Sequence, residues 1–571
     1  MPPADIEPPF GLLLTLGLLV LFYGGTFLMS VRIGHRKENA DSYMTAGHGV
    51  GFGVSAASMT ATWIWASSMY ASVTSGYTYG ISGPIHYGLW GALMILFIYP
   101  FGRRIRKVAP HAHTLAEVMY ARHGRSSQLM LAGSNVVGSV ISLMSNFIAG
   151  GALISMLSPF SFVQGVVVIA VGVLLYTLWS GFRASVLTDF AQVVAMLGAV
   201  VIIVPALFFL LGGPSLFTEG ARNLTPEQGT FFSGDAFLNQ GAPYIAAVLA
   251  YAIGNQTIAQ RLFAVREDLI RPTFVTATIG YGATIIGIGM IGVLALYAGL
   301  EPVGGDTNNL LPQIAAGYLP GILLAVFFVM VIGSLSSTAD SDLSALSSIT
   351  MADIYGQGVR SRGRKADPRT MLLVGRLTML VATAVAVVFA SLQLNILDLL
   401  VFVGALWGAL VFPVIASFYW GKVTNRAFTV SVLAALAVFL PVRFGAVPGT
   451  GLLPLLVEVL AVVGVGVVLG LMVFGFLGTR PALVVGLVGS LASAPFVLGF
   501  LRDYEALTGS LVAYAVSTVV CWAMSVRHRD DFDFASIRRR TGDFTDDPAE
   551  DLTDESTESP AEQALTARGA L

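Results

Sequence analysis

The chain has 571 residues, of which 55% are hydrophobic and only 11% are charged. Soluble domains carry about 25% charged residues, so this composition argues against an ordinary soluble enzyme. The 31 Lys and Arg residues nearly balance the 33 Asp and Glu residues, which gives no reason to expect a nucleic-acid partner. One cysteine, Cys521, excludes an internal disulfide and a multi-cysteine metal site. The sequence therefore predicts an integral membrane protein.

Apolar stretches long enough to cross a bilayer, about 20 residues each, recur along the whole chain. We predict fifteen spans in chain order. They lie near 10–33, 48–76, 82–104, 128–156, 160–180, 184–212, 242–264, 270–300, 318–352, 369–392, 395–421, 426–442, 452–478, 481–501 and 508–526.

Basic residues concentrate in alternate loops. The loop after the third span carries Arg103, Arg104, Arg106 and Lys107, whereas 301–317 has no Lys or Arg. The positive-inside rule then places the N-terminus outside and the C-terminus inside. An odd number of spans gives the same orientation. Multi-pass insertion in the cell (plasma) membrane is the predicted localisation.

The chain divides by composition into four parts. We predict an extra N-terminal transmembrane helix in residues 1–33, a core of transmembrane helices in 34–421, and a set of accessory transmembrane helices in 422–526. Residues 527–571 are rich in acidic side chains and poor in apolar ones, which predicts an acidic disordered cytoplasmic tail.

Enzymatic motifs are missing or out of context. Gly287, Gly289 and Gly292 match the dinucleotide fingerprint GxGxxG, but they lie inside an apolar helix with no preceding strand. The sequence contains no phosphate-binding loop, HExxH or GxSxG motif. We therefore predict no enzyme and no organic cofactor.

Three aspartates at membrane depth stand out, because ionisable groups there are costly and mark function by default. They are Asp189, Asp340 and Asp342. Next to the last two, four hydroxyls recur at i, i+3, i+4 and i+7 and so share one helix face; they belong to Ser334, Ser337, Thr338 and Ser341. Oxygen ligands of this kind suit a hard cation such as sodium, or a proton relay.

Two predicted spans contain polar stretches that are poor in helix formers. One is 60–68 within span 48–76, and the other is 252–257 within span 242–264. Such stretches at corresponding points of two halves indicate broken helices that line a substrate site. The halves would be repeats of five spans each, about 48–212 and 242–421.

Three motifs in the same order resemble the sodium:solute symporter family: 176–189, Asn255-Gln256 followed by Gln260-Arg261, and Ser337-Thr338 upstream of 353–355. The resemblance covers roughly 30–480 and implies an all-α membrane fold, the inverted five-plus-five transmembrane helix repeat. It also implies a sodium site built from backbone carbonyls of Ala61, Ile64 and Ser334 and hydroxyls of Ser337 and Thr338.

Some family members carry a second sodium site, whose positions here are Asp189, Asp340 and Ser341. Asp340 departs from the usual serine, so this second ion or proton site, with Asp342 beside it, could hold a proton shared between carboxylates instead.

Within the family the chain most resembles the urea active transporters, through 61–66, 79–87, 109–117 and the acidic residue at 342. The predicted substrate-binding residues offer rings, hydroxyls and amides but no strong charge. They are Trp63, Trp65, Ser68, Tyr87, Trp90, Asn255 and Gln256. Such a pocket suits a small neutral solute.

The sequence thus predicts a secondary active symporter that couples inward sodium movement to uptake of a small polar organic solute, with urea as the leading candidate. The alternatives are uptake of a monocarboxylate or an amino acid, proton-coupled urea transport, or a transporter-like membrane sensor. The predicted partners are the solute, sodium or a proton, and the lipid bilayer.

Overall fold

The computed structural model describes residues 8–33, 40–394, 396–447, 451–499, 504–529 and 531–542. Over these ranges the regular structure is helical, and the β-type pairing consists of one isolated bridge between Val50 and Val265. Helices are the expected solution, because each spanning segment must satisfy its own backbone hydrogen bonds in lipid.

The first half of the chain contains α1 Leu12–Ile33, α2 Ala40–Thr45, α3 Phe52–Trp63, α4 Ala66–Tyr79, α5 Ser82–Val108, α6 Leu115–His123, α7 Arg125–Leu157, α8 Phe162–Leu210, α9 Pro214–Gly220, α10 Gly234–Ala236, α11 Ala242–Gly254, α12 Gln256–Ala264 and α13 Ile270–Tyr297. The second half contains α14 Leu310–Tyr318, α15 Gly321–Ser348, α16 Gln357–Arg360, α17 Pro368–Ala390, α18 Ile396–Tyr419, α19 Asn425–Arg443, α20 Leu452–Leu477, α21 Thr479–Val497, α22 Glu505–Ser525 and α23 Ala535–Arg540. A π-helical segment, Ile349–Gly356, joins α15 to α16.

Within the described residues, 13 helices are long and apolar enough to cross a membrane, and a bent pair makes up to 14. The bent pair covers the predicted span 242–264. The remaining predicted span, 48–76, consists of α3 and α4, with 12 and 14 residues, each too short to qualify alone. The number of long apolar helices is therefore lower than the fifteen predicted spans because the two spans predicted to be broken are each built from two helices.

The predicted boundary between spans 160–180 and 184–212 falls at a kink inside α8. Gly181 has φ 54° there, a conformation that favours glycine. A Cβ at this position would lie 2.7 Å from ring atoms of Tyr43. Gly181 thus allows both the turn and the close contact.

The centre of the molecule is α15, which packs against α7, α8 and α3. Every residue of this helix from Met330 to Ser348 is buried. By contrast, α1 and α21 expose large apolar side chains such as Leu13 and Leu487. Apolar surface of this kind suits contact with lipid.

The segment 531–542 belongs to the predicted disordered tail but is packed against the end of the bundle that carries α6. The Phe532 ring lies 4.0 Å from the guanidinium carbon of Arg122, and Ile537 is fully buried. The Gly542 amide donates to Glu117 on α6 at 3.1 Å. Residues 543–571 lie outside the described residues.

Candidate ion and solute site

The helix break between α3 and α4 lies deep inside the bundle. Ile64 (φ −83°, ψ 74°) leaves the helical conformation, and Trp65 is extended. The break frees backbone groups: the Ile64 carbonyl accepts the Ser334 hydroxyl of α15 at 2.6 Å. Ala61 and Ile64 are both fully buried. The two segments predicted to supply sodium ligands are therefore in direct contact.

The hydroxyls of α15 face this break and α8. Ser337 donates to a carboxylate oxygen of Asp189, and Thr338 donates to the backbone carbonyl of Ser334 at 3.3 Å. Ser334, Ser337 and Thr338 are at most 1% exposed. Of the predicted sodium-binding residues, Ile64 and Ser334 are thus in direct contact, and all five are buried. Carbonyl and hydroxyl oxygens of this kind are the ligands that a hard cation prefers.

Asp189 is paired with a buried arginine. Arg261 of α12 donates to its carboxylate at 2.9 Å, and the Ser58 hydroxyl of α3 donates at 2.6 Å. The same guanidinium donates to Ser341 at 2.7 Å. Because burying a charge is expensive unless it is paired, this ion pair ties α8, α12 and α15 together.

Asp340 has a different set of partners, all of them hydroxyls. Tyr176 donates to one carboxyl oxygen at 2.7 Å, and Ser185 donates to the other at 2.6 Å. Ser341 lies 3.3 Å from the Ser185 hydroxyl and also contacts Arg261. Of the predicted second site, the structure therefore brings Asp189, Asp340 and Ser341 into one network, with a guanidinium inside it.

Asp342 is not part of this network. The side chains that interact with its carboxyl group are Ser142 and Ser139 on α7. Asp342 and Asp340 face different neighbouring helices because residues two positions apart in sequence point about 200° apart around a helix.

The second helix break separates α11 from α12, which are bent by 53°. The Asn255 side chain caps α12 by accepting from the Thr257 amide at 2.9 Å. The Gln256 side chain accepts from the Leu115 amide at 3.1 Å and donates to the His113 carbonyl at 3.0 Å. Both amides predicted to bind the solute are therefore engaged in holding the break and α6 in place.

A small cavity of about 20 Å³ lies beside the α3–α4 break. Its lining residues are Trp63, Trp65, Ser68, Tyr87, Met94, Tyr244, Tyr251 and Tyr281. The first four are predicted substrate-binding residues, whereas Trp90, Asn255 and Gln256 are not among the lining residues. A space of this size holds about one water molecule. The structure is therefore a closed state, which must widen to accept a solute.

The cavity wall is almost entirely aromatic. Tyr87 and Tyr244 rings are 4.7 Å apart between centroids, and Trp65 and Tyr251 rings are 5.9 Å apart, both in edge-to-face contact. The Trp63 Nε1 atom is buried and has no hydrogen-bond partner. Ring faces, hydroxyls and one open indole donor suit a small planar polar molecule.

Sequence reasoning did not assign Tyr244, Tyr251, Tyr281, Met94 or Arg261. Tyr244 and Tyr251 lie seven residues apart, on one face of α11, a spacing that could have indicated them. Arg261 falls inside a predicted span, and a charge at that depth is a functional signal by itself.

The chain is similar to known transport proteins. Residues 43–434 match the model of the sodium:solute symporter family. A probable urea active transporter of Schizosaccharomyces pombe is 23% identical over 74% of this chain and 68% of its own length. The high-affinity proline transporter PutP of Bacillus subtilis is 25% identical over 68% of this chain and 84% of its own. A structure of a Na⁺-coupled sialic acid symporter, 18% identical, covers 84% of this chain and 97% of its own, with a TM-score of 0.64.

The many apolar helices, together with the family match and the transporter relatives, define a multi-pass membrane transporter rather than an enzyme. More narrowly, the chain belongs to the sodium:solute symporter family, since the family model matches more than half of it. The prediction from the sequence motifs is confirmed at this level.

Proposed function

We propose that this protein is a symporter that uses the inward sodium gradient to take up a small polar organic solute, with urea as the leading candidate. Support comes first from the contact between the α3–α4 break and α15, where the Ser334 hydroxyl donates to the Ile64 carbonyl. The other proposed ligands on these two elements, Ala61, Ser337 and Thr338, are buried as well. Family membership supports sodium as the coupling ion.

Sodium would bind at this contact and hold the break in the geometry that the solute needs. Carbonyls and hydroxyls carry no full charge, and Asp189 is already paired with Arg261, so the ion would be bound loosely enough to leave on the inside. Each sodium ion moved inward gains about 2.3 kcal/mol per 100 mV of membrane potential, plus its concentration term. Coupling requires that ion and solute favour the same closed state.

The aromatic cavity supports a neutral solute over a monocarboxylate. Its lining residues include no Arg, Lys or His, so a monocarboxylate would lose its hydration without gaining a charge partner. Urea is planar and can lie against ring faces while its edge bonds to hydroxyls and to Trp63. The urea transporter relatives support the same choice.

The test is uptake of radiolabelled urea into proteoliposomes, with and without an inward sodium gradient. We expect accumulation above the external concentration only with the gradient, and a loss of at least about tenfold in Trp63→Ala. Trp522→Ala is the matched control, because Trp522 is 55% exposed and outside the cavity lining. Sodium-driven uptake of a monocarboxylate or amino acid instead of urea would refute the solute, and uptake indifferent to sodium would refute the coupling ion.

A further inference from the structure

A larger cavity, of about 320 Å³, lies between α1, α8 and α15. Pockets that bind small molecules have volumes of about 300–1,000 Å³, so this cavity has room for a ligand. Phe22 and Thr26 of α1, Gln192 of α8 and Met330 of α15 are among its lining residues. Among the described residues that line it, none is Asp, Glu, Lys, Arg or His. The cavity therefore suits an uncharged ligand.

Gln192 is the polar side chain of this wall that has no partner. Within the described part of the chain, neither its amide oxygen nor its amide nitrogen has a hydrogen bond, although the residue is only 6% exposed. The two threonines of the wall bond within their own helices: Thr26 donates to the Phe22 carbonyl at 2.8 Å, and Thr188 donates to the Ser185 carbonyl at 3.0 Å. A buried amide without partners costs free energy, which an occupant bonded to Gln192 would recover.

The amide of Gln192 also selects the polar group of the occupant. Its oxygen accepts and its nitrogen donates, and a hydroxyl bonds to both because it carries one donor and two lone pairs. An ester or ketone oxygen would only accept. A single water molecule, with a volume of about 30 Å³, would leave most of the cavity empty and its apolar wall without contacts. The cavity thus fits a hydroxyl attached to a hydrocarbon body.

The cavity is reached from the bilayer. Leu21 of α1 lines it and is 74% exposed, on a helix whose outer surface is apolar. Gln192 lies well inside the apolar span Gly181–Leu210, at a depth where an uncharged lipid dissolves and an ion is costly. The occupant is therefore a molecule that is dissolved in the membrane.

We propose that this cavity binds a neutral, hydroxyl-bearing lipid of the bilayer, with the hydroxyl on Gln192 and the hydrocarbon between α1, α8 and α15. Thr188 and Gly333 also line the cavity, and they directly precede Asp189 and Ser334 of the proposed ion sites. A lipid that fills this cavity stabilises the closed state, which sodium also favours in the proposed cycle, so each raises the affinity for the other. This coupling rests on the proposed function, but lipid binding does not.

Binding is tested by photolabelling the purified protein in phosphatidylcholine vesicles. The probe is dodecanol with a diazirine in its chain, and the same molecule without the hydroxyl is the reference. We expect the alcohol to label peptides of α1, α8 and α15 around the cavity, and Gln192→Leu to reduce that labelling at least about tenfold. Thr278→Val is the matched control, because Thr278 of α13 is outside the cavity lining and its hydroxyl bonds within its own helix.

Two results would overturn the lipid site. One is equal labelling of Gln192→Leu and the native protein. The other is equal labelling by the alkane, which would show that only hydrocarbon fills the cavity. If Gln192→Leu does not fold, Ala195→Phe keeps the amide but fills the cavity from α8, and it should reduce labelling by a similar factor.

The coupling to sodium is tested with the same probe. Labelling by the alcohol should be stronger in sodium than in choline, and Ser337→Ala combined with Thr338→Ala should remove this difference while labelling remains. Labelling that is independent of sodium in the native protein would refute the coupling and leave the proposed symport standing. If uptake is indifferent to sodium, the proposed function fails, whereas the labelling of Gln192→Leu still decides whether the lipid site exists.

Discussion

The Ser337 hydroxyl donates to Asp189, and the Asp189 carboxylate also accepts from Arg261, so a predicted sodium ligand and a buried ion pair form one network. These three residues lie on three different helices, α15, α8 and α12. A single substitution here therefore changes both the ligand set and the charge balance around it. The loss of a sodium ligand and the loss of a buried charge partner therefore need separate variants.

The first prediction concerns the hydroxyl ligands. Ser337→Ala combined with Thr338→Ala should abolish the sodium dependence of uptake, because two of the five predicted ligands lose their side-chain oxygens. Initial uptake rate measured against sodium concentration is the readout. Ser347→Ala is the matched control, since Ser347 is a buried serine of α15 that contacts Met351 instead. Sodium stimulation that persists in the double variant would refute the site.

The second prediction concerns the ion pair. Arg261→Gln should lower the free energy of unfolding by about 3–5 kcal/mol, because it leaves the Asp189 carboxylate buried without its cation. Adding Asp189→Asn should restore part of that loss. Thermal unfolding of the four proteins in detergent, arranged as a double-mutant cycle, measures the coupling. Strictly additive losses would show that the two side chains do not stabilise each other.

At the scale of elements, the two helix breaks are held by different means. The α3–α4 break leaves a carbonyl for the Ser334 hydroxyl, whereas the α11–α12 break is closed by the Asn255 cap and by Gln256 bonding to the segment before α6. The α6 helix in turn carries Glu117, which accepts from Gly542. The C-terminal segment 531–542 is thereby connected to the second break through α6.

The third prediction tests that connection. Deleting 531–571 should lower the apparent melting temperature, because it removes the Phe532 contact with Arg122, the Gly542 bond to Glu117 and the buried Ile537. Deleting only 543–571 is the matched control and should leave the melting temperature nearly unchanged. Thermal unfolding in detergent checks both. An equal shift for the two deletions would show that 531–542 does not stabilise the bundle.

At the scale of the whole molecule, the inverted repeat and the orientation stay predictions. The helices that would form the two repeats, about 48–212 and 242–421, each contain one broken helix, α3–α4 and α11–α12. This correspondence supports the repeat. Orientation follows from the Lys and Arg distribution among the loops, which acts during insertion and leaves no trace in helix packing.

The fourth prediction concerns orientation. A cysteine at Asn308, in a loop predicted to be outside, should react with a membrane-impermeant maleimide in intact cells, whereas one at Ser361 should react only after permeabilisation. The native Cys521 is buried and is replaced by alanine in both. The reverse labelling pattern would place the N-terminus inside.

The spans, the two helix breaks and the hydroxyl stripe of α15 can be predicted from the sequence alone. Hydropathy predicts the spans because each must satisfy its own backbone in lipid, and polar stretches at 60–68 and 252–257 predict the two breaks. The hydroxyl stripe of α15 follows from helical periodicity alone. These features are local, so the order of residues along the chain is sufficient.

Tertiary structure decides which of these groups meet. Asp340 and Asp342 are two residues apart in sequence, yet one bonds to Tyr176 and the other faces Ser142, because they point to different neighbouring helices. Asn255 and Gln256 look like solute ligands in the sequence, but contacts with Thr257 and Leu115 use their hydrogen bonds. The sequence by itself determined the membrane class, the broken helices and the chemistry available. Only the packing of distant helices decided which oxygens share a site, because a side chain's partners are set by what folds against it.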